Sequence, residues 1–197
     1  MTVYINTGDS RPPIMTSYNI VDGTVQQQYT GHAMMINDMK WNTAGDRLAS
    51  ISLDGTTKVW GPDSSTPLHT LNQGGKNSQF CWSSCGEILV ISDMMTNNLN
   101  VWDTTNWQYT KCEKNGNVPL GNVRILAIHP SSGQGQLKIA TCDIYDTVIT
   151  YDISSYGKAI ETNVIMVNSA VKSISFSPDG DLLAVGEVVN GAWIMTL

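Results

Sequence analysis

The sequence repeats one pattern four times, and this repeat limits the folds open to the chain more than any other feature. Each copy alternates apolar and polar residues, ends on a large apolar residue and continues into a short turn. The residues before the turns are Trp41, Trp82, Ile128 and Phe176, at spacings of 41, 46 and 48 residues. A repeat of this length indicates one supersecondary unit per copy, with neighbouring units stacked to bury a shared core.

A second pattern closes the units and defines their secondary structure. Its copies are Val59-Trp60, Val101-Trp102-Asp103 and Tyr151-Asp152-Ile153. Inside each unit the apolar residues recur at every second position, and Gly, Asn, Asp and Pro separate the runs. This spacing predicts about four short antiparallel strands per unit. Because no window of a dozen residues has a clean period of 3.6, we expect almost no helix.

The stretch from Gly31-His32 to Trp60 is the most complete copy of the repeat. Between its ends lie Leu48-Ala49-Ser50 and the turn Leu53-Asp54-Gly55. In these residues the chain resembles the WD-repeat family of β-propellers. The resemblance covers residues 18–197 and implies an all-β fold, a β-propeller of four-stranded antiparallel blades that is incomplete or part of a larger ring. Two departures are the Gly61 that replaces the family's Asp and the missing Gly-His opener in the other units.

The resemblance also implies a structural network in that stretch. In the family, the opening His, a strand Ser or Thr, the turn Asp and the Trp are buried and hydrogen-bonded together; here these are His32, Ser50, Asp54 and Trp60. Such a network satisfies polar groups that would otherwise be buried at a cost. Ser, His and Asp are also the three residue types of a catalytic triad. The sequence has no Gly-x-Ser-x-Gly nucleophile motif, and the repeat accounts for all three residues, so we interpret them as structural.

The same resemblance divides the chain into two parts. Residues 1–30 form a partial blade with an outer strand, and residues 31–197 form four blades, the last without its outer strand. Three explanations stay open: a segment of a longer propeller, an open propeller completed by strands of a partner, or a small closed propeller. The predicted edges at Met1–Ile5 and Gly191–Thr196 contain no Lys or Arg to protect them. We therefore expect them to be paired by more of the same polypeptide or by another protein, and the chain alone to self-associate or precipitate.

The charge balance argues against two classes of partner. The chain has 17 acidic and 11 basic residues, for a net charge of −6, and its three arginines, Arg11, Arg47 and Arg124, are far apart. Binding to phosphate backbones requires clustered Lys and Arg, so we expect no direct contact with nucleic acid and no docking to an anionic membrane. No apolar run approaches the ~20 residues of a membrane span, which predicts no membrane insertion.

Four cysteines follow no disulfide or zinc framework. Cys81 and Cys85 have three residues between them, but the repeat alignment places one on a strand and the other in a turn. Cys112 and Cys142 belong to other strands. Four converging ligands are therefore not expected, and we predict no metal site. Unpaired cysteines are typical of a reducing compartment, so we expect a cytoplasmic or nuclear protein.

Two methionine pairs fall in loops of the predicted repeats. Met34 and Met35 precede the first full unit, and Met94 and Met95 lie near a turn of the next unit. In propellers, which the chain resembles, these two loop types share one face. Methionine is favoured at adaptable binding surfaces, but it also fills irregular cores. The pairs are therefore either a partner-binding face or core packing, and an exposed apolar patch would decide for the first.

The leading hypothesis for function is a non-enzymatic protein–protein interaction platform. The resemblance implies a scaffold subunit of a multiprotein complex that binds partners through propeller loops, with no catalytic residue, cofactor or metal. The alternative is a propeller-fold hydrolase whose acidic residues line the central channel. In the family, the ubiquitin-ligase adaptor motif needs Arg two residues after Trp-Asp. Here Trp102-Asp103 is followed by Thr104-Thr105, which argues against that role.

Overall fold

A computed structural model gives the fold of the chain. It describes residues 2–6, 12–72, 77–93, 95–114, 118–119, 122–133, 135–154, 158–167, 169–188 and 192–196. In these residues the chain forms nineteen β-strands and no helix, which confirms the all-β prediction. The chain divides into two compact units, residues 1–77 and residues 78–197.

The first unit contains two antiparallel meanders. The first meander has three strands, which pair in the order β1-β2-β3, and the second has four, in the order β4-β5-β6-β7. Their bounds are β1 Thr2–Asn6, β2 Ile14–Tyr18, β3 Val25–Thr30, β4 Ile36–Trp41, β5 Leu48–Ser52, β6 Thr56–Trp60 and β7 His69–Asn72.

The second unit contains three further meanders, and its first strand begins at the boundary residue. The third meander comprises β8 Asn77–Trp82, β9 Ile88–Asp93, β10 Asn98–Asp103 and β11 Gln108–Lys114. The fourth comprises β13 Val123–Ile128, β14 Gln136–Asp143, β15 Thr147–Ser154 and β16 Lys158–Met166. The fifth comprises β17 Val171–Phe176, β18 Leu182–Glu187 and β19 Ala192–Thr196, and the two-residue β12 Val118–Pro119 pairs with β11.

The outer strands of the third and fourth meanders are joined to each other. The end of β11 pairs in parallel with the start of β16, Glu113 opposite Lys158 and Lys114 opposite Ala159. This short parallel ladder merges the two antiparallel meanders into one continuous sheet. The sequence did not predict it, because only two residues on each strand take part.

Burial explains why the period-two pattern weakens in the middle of each meander. Every residue of β5 and of β9 is buried, because each strand has sheet neighbours on both edges and packed side chains on both faces. The outer strand β16, by contrast, is mostly exposed. Apolar clusters among the described residues complete the packing, and three of them lie between neighbouring meanders. One lies between the two meanders of the first unit, and two lie between neighbouring meanders of the second.

One glycine turn explains how closely the fourth and fifth meanders pack. Gly180 adopts a left-handed φ of 87° in the turn between β17 and β18, and its carbonyl lies 3.1 Å from His129 Nε2. A Cβ atom at this position would lie 2.2 Å from the same His129 ring atom. Only glycine fits here without displacing the ring, for both conformational and steric reasons.

A search of the described residues for a helix long and apolar enough to cross a membrane finds none.

Candidate functional site

The structure brings His32, Ser50, Asp54 and Trp60 together in one chain of hydrogen bonds. His32 lies in the loop before β4, Ser50 is the middle residue of β5, Asp54 lies in the β5–β6 turn and Trp60 ends β6. The Trp60 Nε1 and Ser50 Oγ atoms are 2.9 Å apart, and Ser50 Oγ is 2.8 Å from His32 Nε2. On the other side of the ring, His32 Nδ1 is 2.8 Å from Asp54 Oδ2.

The chemistry of the two end groups fixes the direction of every bond. The indole N–H of Trp60 can only donate, so Ser50 Oγ accepts it and gives its own proton to His32 Nε2. The His32 ring then carries its proton on Nδ1 and donates it to the Asp54 carboxylate. Asp54 Oδ2 also accepts the Ala33 amide at 2.9 Å. All four side chains are thereby satisfied with a neutral histidine.

The pKa values agree with this assignment. Burial lowers the pKa of His32 from its usual 6.5, and the nearby Asp54 only partly opposes that effect. Burial alone would raise the pKa of Asp54. The hydroxyl and amide of Thr56, the Ala33 amide and the His32 ring all donate to its carboxylate, however, and together they hold the pKa at about 2. The pair is therefore a neutral imidazole on an ionised carboxylate at neutral pH.

This order of Ser, His and Asp has the connectivity of a catalytic triad but not its accessibility. Ser50 is 0% exposed and His32 is 2% exposed, so no substrate reaches the hydroxyl. The Ser50 oxygen also accepts the Trp60 indole proton, which directs a lone pair toward the core rather than toward a reacting carbon. The geometry supports a structural role, as a link between the entry loop, the second and third strands and their turn.

The third meander keeps only the tryptophan of this set. Trp102 pairs with Leu89 across β9 and β10, as Trp60 pairs with Leu48 across β5 and β6. Ile91 lies two residues after Leu89 on β9, and Ser50 lies two residues after Leu48 on β5. Ile91 therefore occupies the position in the third meander that Ser50 occupies in the second. Ile91 has no acceptor, and no described residue accepts a hydrogen bond from the buried Trp102 Nε1 atom. Keeping the tryptophan without its acceptor therefore leaves an unsatisfied donor, a cost that the sequence interpretation did not anticipate.

The first methionine pair is exposed in the first unit. Met34 and Met35 are 52% and 49% exposed, and Leu53 in the β5–β6 turn is 37% exposed. The Leu53 amide donates to the Met35 carbonyl at 2.9 Å, and the Ser52 hydroxyl donates to the Met34 carbonyl at 2.8 Å. These bonds hold the loop and the turn side by side, so their apolar side chains form one patch.

In the second unit, the corresponding turns also carry exposed apolar residues. Each turn follows the second strand of its meander; the residues are Met95 at 65%, Ile144 at 47%, Tyr145 at 80% and Val188 at 56% exposure. Met94, the fourth methionine predicted for this surface, lies outside the described residues. The sequence analysis missed Ile144, Tyr145 and Val188, although aligning the turn of each repeat would have found them.

The aspartates of these turns fix the exposed side chains in place. Asp93 Oδ1 accepts the Met95 amide at 2.8 Å, and Asp143 Oδ1 accepts the Tyr145 amide at 2.9 Å. A carboxylate that accepts a hydrogen bond from the amide two residues later closes a tight turn. The apolar side chains are thus displayed by short, hydrogen-bonded turns.

The cysteines do not form a site. None of the four is in a disulfide bond. Cys112 and Cys142 are buried, and burial raises the pKa of their thiols to about 12 and about 11. Cys81 is partly buried and Cys85 is exposed in the β8–β9 turn. Within the described ranges, no three His, Cys, Asp or Glu side chains come close enough together to hold a metal ion.

Comparison with known proteins identifies the repeat. Residues 23–61 and 163–191 match the family described as WD domain, G-beta repeat. THO complex subunit 3 of Arabidopsis thaliana is 26% identical over 90 residues, which are 43% of this chain and 29% of that protein. A DDB1- and CUL4-associated factor 11 homolog of Caenorhabditis briggsae is 37% identical over 57 residues, 29% of this chain and 10% of that protein. The chain therefore spans less than a third of either relative.

A solved structure extends the likeness to nearly the whole fold. One chain of a crystal structure of the Mitotic Checkpoint Complex superposes with a TM-score of 0.74 at 16% sequence identity. The match covers 93% of this chain and 58% of that chain. At this identity the match establishes the fold alone, which is that of a WD40 propeller. The repeat matches and this fold together confirm the resemblance of the chain to WD-repeat proteins of the β-propeller fold.

Proposed function

We propose that the protein is a non-enzymatic scaffold, a subunit of a multiprotein complex. It binds other proteins through the turns after the second strand of the second to fifth meanders, which follow β5, β9, β14 and β18. One observation carries this proposal. Four meanders display an exposed apolar residue on that same turn, represented by Leu53, Met95, Tyr145 and Val188. Turns are normally built from small polar residues, so a repeated apolar choice at one topological position needs a reason outside the fold.

The hydrogen bonds of these turns favour protein binding. A side chain on a fixed turn loses little conformational entropy when a partner covers it, so more of the buried apolar area contributes to affinity. Tyr145 adds a large amphipathic ring with few rotatable bonds, a residue type enriched at binding hot spots. Met34 and Met95 add flexible, polarizable side chains that adapt to a partner surface.

The acidic groups beside the turns are already engaged. Asp54, Asp93 and Asp143 accept backbone amide protons, and the Asp146 carboxylate contacts the Arg124 guanidinium. A hydrolase with channel-lining acids, the alternative drawn from the sequence, would use acidic side chains free to exchange protons with a substrate. The engaged carboxylates favour the scaffold over the hydrolase.

The names of the similar proteins support membership of a complex. One relative is a subunit of the THO complex, and the similar structure is of the Mitotic Checkpoint Complex. A further relative is named for association with DDB1 and CUL4, but Thr104-Thr105 after Trp102-Asp103 still argues against a ligase-adaptor role for this chain. We place the protein in the nucleus or cytoplasm, with no cofactor.

We also retain the division into residues 1–30 and 31–197 as part of the proposal. The first and fifth meanders have three strands among the described residues, and the second has four. A fourth strand for each, from the same polypeptide or from a strand-donating subunit, would give every blade the same number of strands. Its backbone groups would satisfy those of the open edge.

Affinity purification from cells, followed by mass spectrometry, tests the scaffold proposal. The variant combines Leu53→Ser, Met95→Ser and Tyr145→Ser, and the matched control combines Ile160→Ser and Val164→Ser, which are exposed on β16. We expect the turn variant to lose specific co-purifying proteins that the control retains, with unchanged circular dichroism spectra in both. An identical set of proteins for all three forms would contradict the proposal.

A further inference from the structure

The turn between β2 and β3 displays more apolar surface than any turn discussed above. We call residues 19–25 the hairpin tip. Ile20 is 70% exposed, Val21 is 91% exposed and Val25 is 54% exposed. Three aliphatic side chains at one exposed turn are a cost in solution, because each orders water that burial would release. Nothing in the fold of the first unit requires them there, since the turn is closed by other residues.

The hairpin tip is held rigid by its own hydrogen bonds. The Asn19 amide donates to the Thr24 carbonyl, and the Gly23 amide donates to the Asn19 carbonyl, both at 2.9 Å. The side chain of Asn19 accepts the Val21 amide, and that of Asp22 accepts the Thr24 amide, again at 2.9 Å. Ile20 and Val21 are therefore presented to solvent on a preorganised backbone, as in a binding knob.

A groove runs beside the tip. It has a volume of about 320 Å³ and is lined by Tyr18, Asn19, Ile20, Gln26, Pro62 and Asp63. The Tyr29 hydroxyl donates to the Pro62 carbonyl at 3.1 Å, which fixes the far wall of the groove to β3. The knob and the groove together form one contoured surface within the first unit.

The charges of this surface select one kind of occupant. Asp22 and Asp63 lie on the tip and on the groove wall, and the sequence has no Lys or Arg between residues 12 and 39. A second copy of the chain would bring Asp22 and Asp63 against like charges, and an anionic membrane would be repelled in the same way. A partner surface with Lys or Arg around an apolar socket complements both the aliphatic knob and the carboxylates.

We propose that the hairpin tip is a second docking surface, which inserts Ile20 and Val21 into an apolar socket, rimmed by Lys or Arg, on another protein. It is separate from the surface of the proposed function. Leu53 precedes the start of β6 and Pro62 follows its end, so the two surfaces lie at opposite ends of a five-residue strand. That strand is about 17 Å long, which allows the first unit to hold two partners at once.

Photocrosslinking and a purified binding assay test this proposal together. p-Benzoylphenylalanine is incorporated at Val21, and at Thr43, an exposed residue of the β4–β5 turn, as the matched control. We expect a specific crosslink to one protein from position 21 and none from position 43. In purified form, that protein should bind the wild-type chain, and Ile20→Ser with Val21→Ser should weaken the binding at least about tenfold. Asp22→Lys and added salt should also weaken it.

Several outcomes would overturn the proposal. They are the absence of a specific crosslink at position 21, binding that the two serine substitutions leave unchanged, and binding that Asp22→Lys strengthens. A crosslink to a second copy of the chain, or flotation of the chain with anionic vesicles that the serine variant loses, would also refute the basic-rimmed protein. Because the tip is exposed, thermal melts of the variants should match the wild type. The scaffold proposal is tested separately, by the loss of co-purifying proteins from the variant that combines Leu53→Ser, Met95→Ser and Tyr145→Ser.

Discussion

Phenylalanine substitutions at the two closing tryptophans test whether hydrogen bonding or packing dominates the stability of a meander. Trp60 is 0% exposed and Trp102 is 7% exposed, so each substitution removes the same atoms from a buried site. Both indoles pack against one tyrosine ring: the ring centroids of Tyr29 and Trp60 are 5.8 Å apart and edge-on, and those of Tyr109 and Trp102 are 4.8 Å apart and stacked. The packing losses are therefore similar, and they cancel when the two variants are compared.

The hydrogen-bond contributions have opposite signs. Trp60→Phe removes a bond to Ser50, at a net cost of about 0.5–1.5 kcal/mol. Trp102→Phe removes a buried donor that no described residue satisfies, which recovers a desolvation penalty of about 1–3 kcal/mol. We expect Trp60→Phe to lower the free energy of unfolding by about 1.5–4.5 kcal/mol more than Trp102→Phe does.

Denaturant titration followed by far-ultraviolet circular dichroism measures this difference, because tryptophan fluorescence changes with both substitutions. Ile91→Thr supplies a hydroxyl at the position that Ser50 occupies in the second meander. It should therefore cost less in the presence of Trp102 than in the Trp102→Phe background. Equal losses for the two phenylalanine variants, or a larger loss for Trp102→Phe, would refute the assignment of an unsatisfied indole.

Three further predictions concern the network and the thiols. Ser50→Ala should cost about 1–3 kcal/mol in the same titration by leaving the indole and the imidazole unpaired, whereas Ser65→Ala, at an exposed turn residue, should be silent; equal effects would contradict the network. The folded pKa values of His32 and Asp54 both lie below their usual values, so the unfolded state binds more protons. Melting temperature should then fall as pH drops below about 6.5, and again between 3.8 and about 2, and Ser50→Ala with His32→Ala should flatten the first step. A chelator and a mild oxidant should leave the melting temperature unchanged, and a drop of several degrees with chelator would indicate a metal site; only Cys85 is an exposed thiol.

The sequence predicted the strands well because the signals for them are local. Alternation, turn glycines and the repeat spacing are all carried by neighbouring residues, so about four strands per unit were expected. The second meander has four, β4 to β7. The network from His32 to Trp60 was also proposed before its distances were known, because one complete copy of the repeat contains every member of it. The structure brings those members into hydrogen-bond contact.

The features that the sequence missed depend on contacts between distant residues. The parallel pairing of β11 with β16 joins Glu113 to Lys158, 45 residues apart, through two positions without a pattern of their own. The unpartnered Trp102 indole requires the register of β9 against β10, which places Ile91 rather than a serine in reach. The solvent exposure of a side chain also depends on residues distant in sequence. An aliphatic residue in a turn is therefore indistinguishable from a core residue in the sequence until its packing is known.

The turn aspartates connect the stability of this fold to its display of apolar side chains. Asp54 accepts the imidazole proton of His32 with one oxygen and the Thr56 amide with the other, so the same carboxylate completes the buried network and closes the turn that carries Leu53. Asp93 closes the corresponding turn without a histidine partner, at the position of Met95. The aspartate therefore closes the turn even in a meander that lacks the buried network. The comparison of these two turns indicates that a hydrogen-bonded turn with an exposed apolar side chain does not depend on the buried network. Such fixed side chains suit the binding of a partner.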